Sequence, residues 1–173
     1  MDLAFDFTVN KDNNTITVKR EFNAKVSLVW DAYTISEILE QWWAPKPWNA
    51  KTKSMDFNEG GHWHYAMCGP AGEQHWAYTT YEIIDFQKMF TGIDSFADEN
   101  AVINTELPQS KWEVYFKDNV EKTYVTTQIS YESLEQLETI IKMGFKKGYT
   151  LAMESLDEIL INQKKERIKT TNA

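Results

Sequence analysis

The sequence predicts an α+β fold of helix-grip type. A curved antiparallel sheet of six to seven strands wraps a long C-terminal helix, and two short helices follow the first strand. Three observations predict it. Between Lys51 and Tyr131, short stretches of alternating apolar and polar residues are separated by turn-forming Gly, Pro, Asn and Asp. After Ser133 the apolar period lengthens to that of a helix and stays there for many turns. Two brief helical patterns between Ala24 and Trp43 stop at Pro45 and Pro47, which lack an amide donor and restrict the preceding residue.

Composition sets the limits. A chain of 173 residues with 42% hydrophobic and 14% aromatic side chains is long and apolar enough for one packed domain. That domain is expected to span residues 1–173, with its core at about 15–161 and a basic tail at 162–173. The net charge of -8 argues against a general nucleic-acid binder. No apolar run approaches the ~20 residues that span a bilayer, and the N-terminus lacks a signal-peptide pattern, so no membrane insertion is expected. Cys68 is the one cysteine and has no internal partner, which fits a reducing, cytoplasmic setting.

The first strand is Thr15–Phe22, with Ile16, Val18 and Arg20 on one face, after a turn at Asp12–Asn14. A helix over 24–33 places Val26, Val29, Trp30 and Tyr33 at three-to-four spacing. Thr34 and Glu37 form a capping-box pattern, so a second helix is expected to run to about Trp43. Strands follow at 51–57, 62–68, 74–84 and 88–96. The turns between the first three of these lie at Asn58–Gly61 and Gly69–Gly72. Residues 98–109 are polar and read as a surface loop. Two further strands, 111–117 and 123–131, flank a turn at Asp118-Asn119.

Ser133 and Gln136 repeat the capping pattern and open one helix from about Leu134 to Ile161, roughly 42 Å long. Gly144 and Gly148 lie on its apolar face and each costs about 1 kcal/mol relative to alanine. Their placement implies close approach of a sheet side chain or of a ligand between helix and sheet. The basic stretch Lys164–Lys169 is expected to be a frayed, solvated end.

Several separated segments resemble one known family. They are Val29-Trp30-Asp31-Ala32, Trp42-Trp43-Ala44-Pro45-Lys46-Pro47-Trp48, Gly60-Gly61-His62-Trp63, Met67 through Glu73, Tyr81-Glu82-Ile83-Ile84 and Met143 through Tyr149. In this order they look like the family named for the activator of heat-shock-protein-90 ATPase, over about Ile16 to Leu160. That family lies in the START-like, or SRPBCC, superfamily that shares the birch-pollen-allergen fold. The resemblance implies a helix-grip cavity and a choice among lipid or hormone carriers, polyketide cyclases and co-chaperone domains. The eukaryotic co-chaperones carry a separate N-terminal docking domain, for which a first strand at Thr15 leaves no room.

The segment Trp42–Trp76 holds five of the chain's tryptophans and all three histidines. Tryptophan and tyrosine combine apolar area with a polar tip and suit the wall of a cavity for a small amphipathic molecule. The expected ligand is small and hydrophobic or aromatic, held by Trp43, Trp48, His64, Met67, Trp76, Tyr78, Tyr81, Met143, Gly144 and Gly148. Trp30 and Trp63 are expected in the core. No catalytic residue is assigned: the chain lacks a nucleophile elbow, a phosphate loop and a dinucleotide fingerprint. His62, His64, Cys68 and His75 lack a chelating loop, so no metal site and no cofactor are assigned. Two other classes stay open. One is a protein-interaction module with a protein partner, using an exposed aromatic face at Trp42–Trp48. The other is a cyclase- or hydrolase-like enzyme, which a buried, perturbed His or carboxylate in the cavity would favour. A monomer or homodimer suits all three.

Overall fold

A computed structural model describes residues 4–171. Eight strands form one antiparallel sheet in the order β1-β2-β8-β7-β6-β5-β4-β3. They are β1 (Phe5–Asn10), β2 (Thr15–Phe22), β3 (Asn49–Asp56), β4 (His62–Cys68), β5 (Gln74–Asp85), β6 (Met89–Ala97), β7 (Ser110–Asn119) and β8 (Lys122–Ser130). Helices α1 (Val26–Thr34) and α2 (Ser36–Leu39) connect β2 to β3, and α3 (Leu134–Lys142) and α4 (Phe145–Thr171) close the chain. The arrangement is the predicted helix grip.

Strand β1 was not anticipated. It pairs with β2 from Phe5↔Arg20 to Asn10↔Thr15, at the sheet edge. Phe5, Phe7 and Val9 alternate with polar residues along it, but only Phe7 is more than superficially covered.

One parity of each strand faces the helices. Cross-strand pairs put Ile16 beside Ile129, Ile129 beside Trp112, Trp112 beside Gly92, and Gly92 beside Tyr81. This concave face holds most of the buried apolar side chains, and Trp30 fills its narrow end. The Trp30 ring meets Phe57, Phe86, Phe90 and Phe116 edge-on at 5.0–6.0 Å, a geometry that the ring quadrupole favours. Partly buried Arg20 reaches across to ion-pair with Asp157 and ties β2 to α4.

Two helical expectations are corrected. The Thr34–Glu37 box does not form: Thr34 Oγ1 donates to the Trp30 carbonyl at 2.8 Å, and Ile35 precedes a helix α2 that ends at Leu39. Thr34 belongs to the last turn of α1, where its hydroxyl bonds back along the helix. The C-terminal helix is two helices, not one. Ser133 caps α3 as expected, its side chain accepting from Gln136 N–H. Gly144 then takes φ +87°, a left-handed conformation that ends α3 and lets α4 set off anew. Helix α4 continues to Thr171, roughly 40 Å, so the basic stretch is helical and not frayed.

Candidate functional site

The sheet and helices part along a cavity of about 300 Å³. Its sheet wall is Tyr65 and Met67 of β4, Asp94 and Phe96 of β6, and Ser110 and Trp112 of β7. Its opposite wall is Trp43 and Pro45 after α2, Ile140 of α3, Met143 and Gly144 at the break, and Phe145, Gly148 and Tyr149 of α4. A second, inner space of about 40 Å³ lies deeper, between Tyr33, Leu39, Trp63, Thr79, Tyr81, Phe90, Gly92 and Val114. The two share Trp43, Asp94 and Trp112 as common walls.

The helix break shapes the wide end. Because Gly144 turns the chain, α3 and α4 diverge there and Met143 stays more than half exposed at the rim. A methyl at Gly148 would meet Pro45 Cγ at 3.6 Å, ordinary contact, so Gly148 permits close packing without demanding a glycine. Gly92 is the stricter case. A Cβ there would lie 2.8 Å from the Thr80 carbonyl oxygen, which keeps the floor of the inner space bare.

The lining is aromatic and interlocked. Trp43 lies 5.5 Å from Trp112 and 5.7 Å from Trp63, and its indole N–H donates to the Tyr65 hydroxyl at 3.1 Å. Phe145 and Tyr149 stack at 5.2 Å. Burial pushes the Tyr149 hydroxyl up to about 12, and it pushes Tyr65, Tyr81 and Tyr131 upward as well. All four remain neutral phenols at physiological pH.

Asp94 is the exception in this wall. It sits on the inward parity of β6, among Phe90, Gly92 and Phe96, and lies deep in the fold while keeping one side open to the cavity. Thr79 Oγ1 donates to its Oδ1 at 2.8 Å, and the Ser95 backbone also bonds it. Desolvation outweighs these bonds and raises the carboxyl from 3.8 to about 6. Its charge in turn helps to hold the Tyr65, Tyr81 and Tyr131 protons in place. Among the described residues that line either space, none is Lys, Arg or His.

Six of the ten expected site residues come together here: Trp43, Met67, Met143, Gly144 and Gly148 in the wide space, and Tyr81 in the inner one. Four do not. His64, Trp76 and Tyr78 pair across β4 and β5 on the convex face, opposite in parity to Tyr65, Met67 and Tyr81. There the His64 ring packs against Trp76 and Tyr78, and its Nε2 bonds the Asp98 carbonyl oxygen at 2.9 Å, which buries it beneath the 98–102 loop. Trp48 stacks on His75 at 5.4 Å and lines neither space. Of the aromatic face expected at Trp42–Trp48, Trp42 is fully buried, donating to the Ala32 carbonyl, Trp43 turns into the cavity, and Trp48 alone stays outside both and partly exposed.

Asp94 was missed, although its signal was present. In Phe90-Thr91-Gly92-Ile93-Asp94-Ser95-Phe96 it is the one acid on the parity that the phenylalanines share.

The family model described as activator of Hsp90 ATPase homolog 1-like protein matches residues 23–161. The chain belongs to this family. Among solved structures it resembles a Mycobacterium smegmatis protein at 31% identity and TM-score 0.83, covering 92% of this chain and 97% of that one. An Arthrobacter aurescens protein gives 27% identity and TM-score 0.86, covering 91% of each chain. A Staphylococcus epidermidis protein gives 27% identity and TM-score 0.79, over 91% and 94%. No curated protein matches. The matched residues take in α1, α2, β3 to β8, α3 and most of α4, while β1 and β2 precede them. No helix among the described residues is long and apolar enough to cross a membrane.

Proposed function

We propose that this START-like domain binds one small hydrophobic or aromatic molecule in the cavity between its sheet and α3–α4. The observation behind this is the 300 Å³ space itself, walled by Trp43, Tyr65, Trp112, Phe145 and Tyr149 and placed where the helix grip opens. Its size and aromatic lining fit a small drug-sized ligand, with a few polar tips to orient it. Met143 at the rim and the glycine break supply an entry edge that can widen without unpacking the Trp30 cluster. The unpaired Cys68 supports a reducing, cytoplasmic setting, and a monomer or a homodimer would suit this reading.

Titration with a neutral fluorescent probe such as N-phenyl-1-naphthylamine tests this reading. Saturable enhancement at one-to-one stoichiometry, with quenching of tryptophan emission, is the expected result. A flat titration across chemically diverse probes would set the reading aside.

A second reading, an acid–base enzyme of the cyclase or hydrolase kind, draws on the Asp94 carboxyl, which titrates near the working pH. Faster cleavage of aryl esters by the native chain than by Asp94→Asn would support it; equal rates would count against it. A docking function for Trp42–Trp48 has less support, since of its three indoles only Trp48 lies outside the core and the cavity.

A further inference from the structure

Asp94 is a carboxylate with no cation beside it. The ion pairs among the described residues are Lys11–Glu138, Arg20–Asp157, Lys25–Glu121, Lys46–Glu158 and Lys122–Glu21, and none involves it. A buried acid is ordinarily matched by a positive group, because an unpaired charge in apolar surroundings is costly. Here the carboxyl lines the cavity in company with the Trp43 and Trp112 indoles, the two other residues that wall both spaces. Indole faces attract organic cations, and do so more strongly where water is excluded.

We infer that the missing partner is the ligand, and that the cavity selects molecules carrying a protonated amine on an aromatic or hydrophobic body. The ammonium would sit at the waist between the two spaces, against Asp94, Trp43 and Trp112, while the body fills the wide space toward Phe145 and Met143. The assignment rests on the binding reading above and narrows it to one ligand class. The chain's net charge of -8 adds a long-range pull on cations.

The surroundings make the selection pH-dependent. Tyr65 of β4, Tyr81 of β5 and Tyr131 just after β8 feel the Asp94 charge, Tyr149 of α4 lines the same space, and burial keeps all four neutral. Thr79 and Ser110 do not titrate. Asp94 is therefore the one group in this wall whose charge changes between pH 5 and 8, and preference for amines fades as the pH falls below about 6.

Three probes of one shape test the inference: 1-naphthylmethylamine, 1-naphthylmethanol and 1-naphthoic acid, titrated calorimetrically at pH 7.5 into the native chain and into Asp94→Asn. The amine is expected to bind at least tenfold more tightly than the alcohol, and the acid most weakly. Asp94→Asn should bring the amine down to about the alcohol's affinity, and a cooperative thermal unfolding transition shows that the variant is folded. Equal binding of amine and alcohol, or an amine indifferent to Asp94→Asn, overturns the inference while the cavity reading stands. If none of the three binds, both fall together.

Discussion

Replacing Asp94 with asparagine should make the protein more stable at neutral pH. The carboxyl titrates at about 6 in the folded chain against an ordinary 3.8, because burial opposes its charge. The folded state therefore holds the proton more tightly than the unfolded state does. Between those two values stability rises as pH falls, and above about 6 the full penalty of the buried charge is present. At roughly 1.4 kcal/mol for each tenfold change in proton affinity, that penalty is about 3 kcal/mol. Asparagine keeps an oxygen for the Thr79 hydroxyl and removes the charge. With an unfolding entropy of ~2.1 cal/mol/K per residue, 3 kcal/mol corresponds to a rise of ~8 °C in Tm for a chain of 173 residues. Calorimetry of both proteins from pH 4 to pH 8 checks this. The gap should be near zero at pH 4, open through pH 5–6 and level off by pH 7. A gap that is constant with pH, or a native chain that is the more stable at pH 7, would refute the claim that Asp94 is an unpaired, partly buried charge.

The two helix glycines should respond differently. Gly144→Ala forces a side chain into a left-handed turn and should lower stability by about 1–2 kcal/mol in chemical denaturation, whereas Gly148→Ala should be neutral or gain up to about 1 kcal/mol. Arg20→Met leaves Asp157 without its partner and should cost about 3 kcal/mol in the same assay, and Asp157→Asn in the same background should recover part of it. Trp30→Ala removes the ring at the centre of the Phe57–Phe86–Phe90–Phe116 cluster and should cost about 3–5 kcal/mol without changing probe affinity.

The helix-grip arrangement could be read from the chain because its elements announce themselves locally. Ser133 with Gln136, the turn glycines, and the inward rows Trp63-Tyr65-Met67 and Trp112-Val114-Phe116 each have one simple physical meaning. Edge strand β1 was overlooked: Phe5, Phe7 and Val9 do alternate with polar residues, but the strand is short and mostly exposed. The site was partly legible for a related reason. In β4 both faces are covered, the inner by Trp43 and the outer by the 98–102 loop, so aromatic content alone did not separate His64 from Tyr65. Parity did contain the answer: Trp76 and Tyr78 are out of phase with Tyr81, and Asp94 is in phase with Phe90. Gly144 looked like a packing glycine because left-handed conformation leaves no trace in helical spacing.

The most direct test of the cavity's role is residue-resolved. In an amide-detected NMR titration with N-phenyl-1-naphthylamine, saturable shifts should cluster at Met67, Asp94, Phe96, Ser110, Gly144, Gly148 and Tyr149, around the space between sheet and helices. His64, Trp76 and Tyr78 on the convex face should stay still. Shifts centred on that outer face, or none anywhere, would contradict a ligand-holding helix grip.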